Sequence, residues 1–371
     1  MATTIFVMTH KPFVPPEDPI YRPLQVGRAE NGDMGYPGDD TGDNISALNH
    51  YYGELTGIYW IWKNYPGREN IGICHYRRYF TDERHLYFTS DEFDNILSEY
   101  DVMTSNRLTA DKPYWNVYGD AHHIEDMEAV GDAIRKLYPE DYDTFTSVME
   151  GREHYYSNLC VMPRDRFDEY CKWLFDILFE VSKHIDPDKY PPYHRRVFGF
   201  LSENLLMVWI RARGLKPYES IIGCSEEKAE SRELVLATYQ LLKQGNIDEA
   251  YQLFSQIVQI RPDVTLPMSD IYSRVIITEQ ILFTLVAEKN AGVSGMWEVS
   301  HDLNELIEHY RRLFDIFGHI SAGDNLSQED ADYLAGGHVT AIAARLMCNN
   351  NLPKYMKRDP LDENKVMEIF A

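Results

Sequence analysis

The run Cys74-His75-Tyr76-Arg77-Arg78-Tyr79-Phe80 sets an imidazole and two guanidinium groups directly after the small apolar stretch Ile71 to Cys74. That pattern predicts a buried strand ending abruptly in polar side chains, and ligands of open α/β sheets bind outside the carboxyl ends of the strands. Two guanidiniums placed there suit an anion such as a nucleotide diphosphate, because planar forks of N–H donors match phosphate oxygens in pairs. The same residues also read as a surface turn whose arginines pair with neighbouring carboxylates, an arrangement worth little energy. Thr9, His10 and Lys11 follow a second apolar run, Thr4 to Met8. In a nucleotide-binding sheet they would sit beside the base or ribose, with Lys11 as a phosphate or uracil-side contact.

Three further groups carry polar chemistry. Glu203 follows Ser202 and precedes the apolar run Leu205 to Ile210. A carboxylate at a helix start facing the ligand edge is a candidate general base, although it also simply favours the helix dipole. His122 and Asp126 are spaced one turn apart on a helix expected over Tyr118 to Leu137. They would orient a sugar hydroxyl or move a proton, or else form an ordinary helix-surface pair worth tenths of a kcal/mol. Asn158 is the polar side chain of a strand expected over Tyr155 to Met162 that is best placed to hydrogen-bond a ligand.

These groups need a scaffold. The aromatic-rich segment Asn49 to Asn64 reads as a helix before the His75 strand, with Asp43, Asn44 and Ser46 as its cap residues. Pro12 to Asp43, rich in Gly, Pro and Asp, is too long for a passive connection and is expected to be a functional loop. Its Asp39, Asp40 and Asp43 follow no metal-ligand template, so a solvated acidic loop with a helix cap is the preferred reading. A helix over Glu92 to Tyr100 leads to a strand over Asp101 to Thr104. Phe167 to Val181 is amphipathic at helical spacing, and its charged face carries more Asp and Glu than Lys, which favours core packing over a membrane-skimming role. From Glu230 onward the chain reads as helical, with a hairpin at about 232–260 of the tetratricopeptide kind turning at Gly245-Asn246. One unit cannot make a solenoid, so this region is expected to pack on the first domain or on a partner.

Composition sets the outer bounds. The chain's 371 residues call for two domains. With 36 Lys and Arg against 59 Asp and Glu, the net charge of −23 argues against nucleic acid and against direct adhesion to an anionic membrane. Five cysteines without paired spacing suggest a reducing compartment. No transmembrane segment and no signal-peptide pattern are visible, so a cytoplasmic protein is expected.

The segments Gly38-Asp39-Asp40-Thr41-Gly42-Asp43-Asn44-Ile45-Ser46, Glu54-Leu55-Thr56, Tyr59-Trp60, Trp62-Lys63-Asn64 and Cys74 to Phe80 closely resemble a family of bacterial polysaccharide glycosyltransferases. Its members act in capsule and O-antigen biosynthesis and were formerly known only as a domain of unknown function. The match continues through Ala121 to Asp126, Asn158, Met162-Pro163-Arg164, Phe167 to Leu178 and Gly199 to Glu203, covering roughly residues 3 to 225 in order. The resemblance implies an α/β, GT-A-like nucleotide-sugar-binding domain over 1–225 and leaves an all-α region over 226–371 outside it. It implies transfer of a sugar, in studied relatives galactofuranose, from a UDP donor to a glycan or lipid-linked oligosaccharide acceptor.

On this reading Thr9, His10, Lys11, Asp43, Asn44, His75, Tyr76, Arg77, Arg78 and Asn158 hold the donor. Metal-dependent enzymes of the fold carry Asp-x-Asp where this chain has His75-Tyr76-Arg77-Arg78, so fixed guanidiniums would take the cation's part, with no cofactor required and a divalent metal as second choice. Glu203, or after it the His122 and Asp126 pair, would deprotonate the acceptor, and a single base implies inversion. The acidic chain would reach the inner face of a membrane through a protein partner, with the helical region as the docking part. One departure is Asn204, where relatives usually show Arg after the Ser-Glu pair. Two other classes stay open: a non-catalytic glycan- or nucleotide-binding scaffold of an assembly complex, and a metal-dependent hydrolase built from Asp39, Asp40, His122 and His123.

Overall fold

The computed structural model describes residues 2–293, 295–356 and 358–370. The chain divides into two compact units, Met1–Ser225 and Glu226–Ala371. Among its described residues the first holds nine strands: β1 Thr3–Thr9, β2 Tyr21–Gln25, β3 Asn70–His75, β4 Arg78–Thr81, β5 Val102–Ser105, β6 Leu108–Thr109, β7 Glu153–His154, β8 Cys160–Met162 and β9 Pro217–Cys224. β1 runs parallel to both β2 and β3, which brings their carboxyl ends to one rim. β8 is antiparallel to β3 and β5, β9 is parallel to β5 and antiparallel to β4, and β4 returns to β3 through a hairpin. β6 and β7 form a separate two-stranded ribbon.

β1 is apolar on both sides because it is covered on both. Phe6 and Met8 join one core with helices Leu55–Asn64 and Arg164–Val181, while Ile5 and Val7 join another with Tyr79, Phe80 and Phe93. Gly72 on β3 is required for close approach, since a Cβ there would lie 2.2 Å from Ile5 Cδ1. The helix Arg164–Val181 buries Phe167, Tyr170, Trp173, Leu174, Phe175, Ile177 and Leu178, and its Phe175 ring stacks on Trp62 at 5.8 Å. Its apolar face is core.

Several resemblance motifs prove to be scaffold. Arg164, 9% exposed, donates to the carbonyls of Tyr65 at 2.7 Å and Trp62 at 3.2 Å, closing the C-terminal end of helix Leu55–Asn64. The Pro12 to Asp43 stretch is not one open loop: it contains β2 and is tied down by Asp39. That carboxylate is fully buried and accepts from the backbone N–H of Gly27 and Arg28 and from the hydroxyls of Ser46 and Thr56. The expectation of a solvated acidic loop is corrected there.

The second unit is helical throughout its described residues. Helices Ala229–Lys243 and Ile247–Ile260 form its first hairpin, with Gly245 at φ 80° in the turn. Leu234, Leu242, Ala250 and Phe254 join a core shared with helices Arg274–Asn290 and Leu303–Ala322. Among the described residues no helix is long and apolar enough to cross a membrane.

Candidate active site

The parallel pairing of β1 with β3 sets Met8 beside His75, and the Tyr76 N–H donates to the Met8 carbonyl at 3.0 Å. The residues after each strand therefore meet. The exposed His10 ring lies 5.3 Å from Tyr76 and 6.1 Å from His75, and Phe13 and Tyr36 extend the aromatic row beyond Tyr76. Thr9 behaves differently. Its buried hydroxyl accepts from the Lys11 N–H at 3.1 Å and donates to the Lys11 carbonyl, so it shapes the turn that presents His10 and Lys11.

Past His75 the chain reverses at once: His75 pairs with Arg78, and Tyr76 and Arg77 form the turn. The two arginines are not a surface feature. Arg77 is 4% exposed, its carbonyl accepts from Ser225 N–H at 3.0 Å, and its guanidinium stands 5.7 Å from the Tyr76 ring. Arg78, partly buried, stands 5.4 Å from the Tyr156 ring. Burial alone would lower the Arg78 pKa, yet it is raised, because Tyr156, Cys224, Glu203 and Glu54 supply negative potential around it.

Glu203 is the perturbed acid of this cluster. It lies in the junction between helices Val197–Ser202 and Leu205–Ala212. Its carboxyl is pushed up from 4.5 to about 7, first by burial and then by Glu54, while Arg78 and Arg196 pull it back down. Glu54 opens helix Leu55–Asn64 and reaches the cluster through Asn158, whose Nδ2 donates to Glu54 Oε1 at 2.9 Å. The other end of that amide, Oδ1, lies 3.0 Å from the Ser202 hydroxyl. Asn158 thus clamps the Glu54 helix to the Glu203 segment.

The expected strand over Tyr155 to Met162 shrinks to β8, because Ser157 has φ 92° and breaks the extended run. Buried polar atoms without a hydrogen-bonding partner collect nearby: the Ser157 hydroxyl, both amide atoms of Asn204, the Tyr118 hydroxyl and Arg78 Nε. Native structures rarely leave such atoms without an ordered water, a ligand or a role.

Two sequence expectations need correction. The helix expected through Tyr118 to Leu137 is two helices, Tyr114–Ala121 and Ile124–Leu137, with His122 and His123 extended between them. His122 and Asp126 therefore do not share a helix face. Asp126 instead accepts from the Tyr190 hydroxyl at 2.6 Å, and burial raises its pKa, while the His122 ring stacks on Phe200 at 4.2 Å. The helix expected over Asn49 to Asn64 breaks at Gly53, φ 56°, so Asp43 and Asn44 do not cap it. Asp43 is held by Asn64 and by the Tyr59 hydroxyl, towards the end of the ten-residue helix remote from Glu54, and Asn44 closes a local turn with Ser46. At about 1.5 Å per residue the remote end lies roughly 15 Å from Glu54, so neither residue joins the cluster.

The residues that sequence reasoning missed are Glu54, Tyr156 and Arg196. Only Glu54 left a signal, as a carboxylate directly before an apolar helix. Among the described residues no three His, Cys, Asp or Glu side chains are grouped to hold a metal ion.

Residues 4–214 match the family model described as Domain of unknown function (DUF4422). The chain belongs to this family. The matched span contains Glu54, Tyr156, Arg196 and Glu203 as well as both arginines, and Cys224 lies just beyond it. Among curated proteins none matches. A solved structure of WbbM, a bifunctional glycosyltransferase in its apo form, aligns over 62% of this chain with 28% identity and a TM-score of 0.57. This chain spans 46% of that one.

Proposed function

We propose that the DUF4422 domain transfers a sugar from a UDP-linked donor to a growing surface glycan, with Glu203 as general base. The observation that carries the reading is the Glu203 carboxyl, which burial and Glu54 push up to about 7, beside Arg196 and beside Arg78, the residue that pairs with His75 at the end of β3. A base is most effective when its pKa lies near the working pH. The likeness to a bifunctional glycosyltransferase supports the reaction class.

In this mechanism the acceptor hydroxyl gives its proton to Glu203 as its oxygen bonds to the anomeric carbon. The bond from that carbon to the nucleotide diphosphate breaks, and the departing charge is taken up by Arg77 and Arg78. His10, Lys11, His75 and Tyr76 line the side where the base and ribose would lie. Attack from the face opposite the leaving group inverts the anomeric centre. Galactofuranose is the first donor to test, on the strength of the sequence resemblance, and the acceptor would be a capsular or O-antigen glycan. The guanidiniums make a divalent cation unnecessary in this scheme.

The test is a panel of UDP-sugars, including the furanose form of galactose, followed by thermal shift and by UDP release with and without EDTA. Stabilisation and transfer that persist in chelator are expected. Glu203→Gln should retain UDP stabilisation and lose transfer; wild-type transfer by this variant would remove Glu203 as the base.

A further inference from the structure

Beside Glu203 lies a second feature that the transfer chemistry does not use. The Glu203 N–H donates to the Phe200 carbonyl at 3.4 Å, so the Phe200 ring is one turn upstream of the base. Phe200 stacks on His122, with ring centroids 4.2 Å apart and planes within 23°. Tyr193 lies 5.3 Å from Phe200 and nearly parallel to His122 at 6.3 Å. Arg196 spans this row, its guanidinium 5.3 Å from the Phe200 ring and 5.6 Å from Tyr193, and it is also one of the charges acting on Glu203. The three rings are half-buried, not sealed into the core.

Three imidazoles here each keep one nitrogen without a protein partner. His122 Nδ1, His123 Nε2 and His194 Nδ1 are shielded from solvent and have no hydrogen-bonding partner. His194 stands 5.7 Å from His122 and 5.3 Å from His123. An apolar core has no use for three such rings, and a solvated surface would not shield them. Burial, with His194, His123 and Arg196 adding to it, lowers the His122 pKa to about 3. Its ring is therefore neutral near pH 7, with one N–H to donate and one nitrogen to accept. This makes His122 a poor proton shuttle.

We propose that His122, Tyr193 and Phe200 form the acceptor subsite, a wall on which one neutral pyranose ring of the acceptor glycan stacks by its C–H face while its hydroxyls reach the exposed Arg196 guanidinium that spans the row. A pyranose has an apolar face and a polar rim, the two properties this wall needs in a ligand. The inference rests on the transferase reading, since the wall adjoins the base that would deprotonate the acceptor. It turns His122 from a catalytic candidate into a positioning residue.

The probes are octyl glycosides of galactopyranose, glucopyranose and N-acetylglucosamine, followed by saturation-transfer NMR against the full chain and its Tyr193→Ala and Phe200→Leu variants. UDP affinity and melting temperature serve as controls for the donor side and for folding. At least one glycoside is expected to bind wild type, with affinity lowered about tenfold in each variant, the cost of one lost stacking contact. In a transfer assay the loss should appear in the acceptor KM more than in kcat. Failure of wild type to bind any of the three, or undiminished binding by both variants, overturns the subsite. A wild type that binds UDP and transfers sugar with an acceptor KM indifferent to both substitutions also sinks the subsite while leaving the transferase reading intact. Glycan binding that depends on Tyr193 and Phe200 in a protein without affinity for UDP supports the wall and refutes the donor.

Discussion

The two carboxylates at the site are coupled, and Glu54→Gln isolates that coupling. The lift of Glu203 from 4.5 to about 7 corresponds to roughly 3.5 kcal/mol of disfavoured ionisation at about 1.4 kcal/mol per pH unit. Burial is the largest cause and the Glu54 charge the second. Removing that charge should return a smaller part than burial contributes, on the order of one pH unit or 1.4 kcal/mol. Gln keeps a carbonyl oxygen for the Asn158 Nδ2, so the clamp that holds the two segments survives. The assay is the pH dependence of kcat/KM for transfer, whose ascending limb reports the base in the free enzyme. Wild type should show that limb near 7, and Glu54→Gln should move it to about 6. Arg196→Gln should move it the other way, because Arg196 holds the carboxyl down. An unmoved limb, or two variants that shift it in the same direction, would refute the electrostatic argument.

Other outcomes follow from the same structure. A carboxyl whose folded pKa is raised contributes stability below its unfolded pKa, and that contribution is lost as pH rises through the folded value near 7. Glu203→Gln should therefore raise the melting temperature at pH 8 and leave it unchanged at pH 4, by up to about 3 kcal/mol in chemical denaturation; equal effects at both pH values would contradict this. Arg77→Ala should depress transfer about a hundredfold or more while leaving a folded protein, and unchanged kinetics would exclude Arg77 from the leaving-group site. Asp39→Asn should destabilise the first unit by about 3 kcal/mol, because the amide turns a donor towards groups that themselves donate; a neutral effect in urea titration would show that the knot is dispensable.

Legibility in the sequence followed burial. β1, β3 and the helix Arg164–Val181 were readable because each buries a long apolar pattern, on both faces for β1. β9 was not read at all: its Pro217 to Cys224 run is mostly half-exposed, and its strand character comes from pairing with β4 and β5. The breaks at Gly53, His122 and Ser157 were invisible for a common reason, that hydrophobic period continues across a break while the backbone does not. Within the candidate site, strand ends pointed to His10, Arg77 and Arg78, which the fold brings near one another, and the Ser-Glu pair pointed to Glu203. The acidic motif lies apart from the Glu203 cluster. Asp43 and Asn44 sit among donor-like residues in sequence, yet their partners are Asn64, Tyr59 and Ser46, on the side of the helix end away from Glu54. Tyr156 and Arg196 could not be found from spacing, since each reaches Glu203 or Arg78 only through the tertiary fold.

The most direct test of the central claim is the structure of the chain bound to UDP, determined in the presence of manganese. Diphosphate oxygens within hydrogen-bonding distance of the Arg77 and Arg78 guanidiniums, with Glu203 facing the open side of the terminal phosphate, is the predicted result. Phosphates chelating the metal at a place remote from both arginines would contradict it.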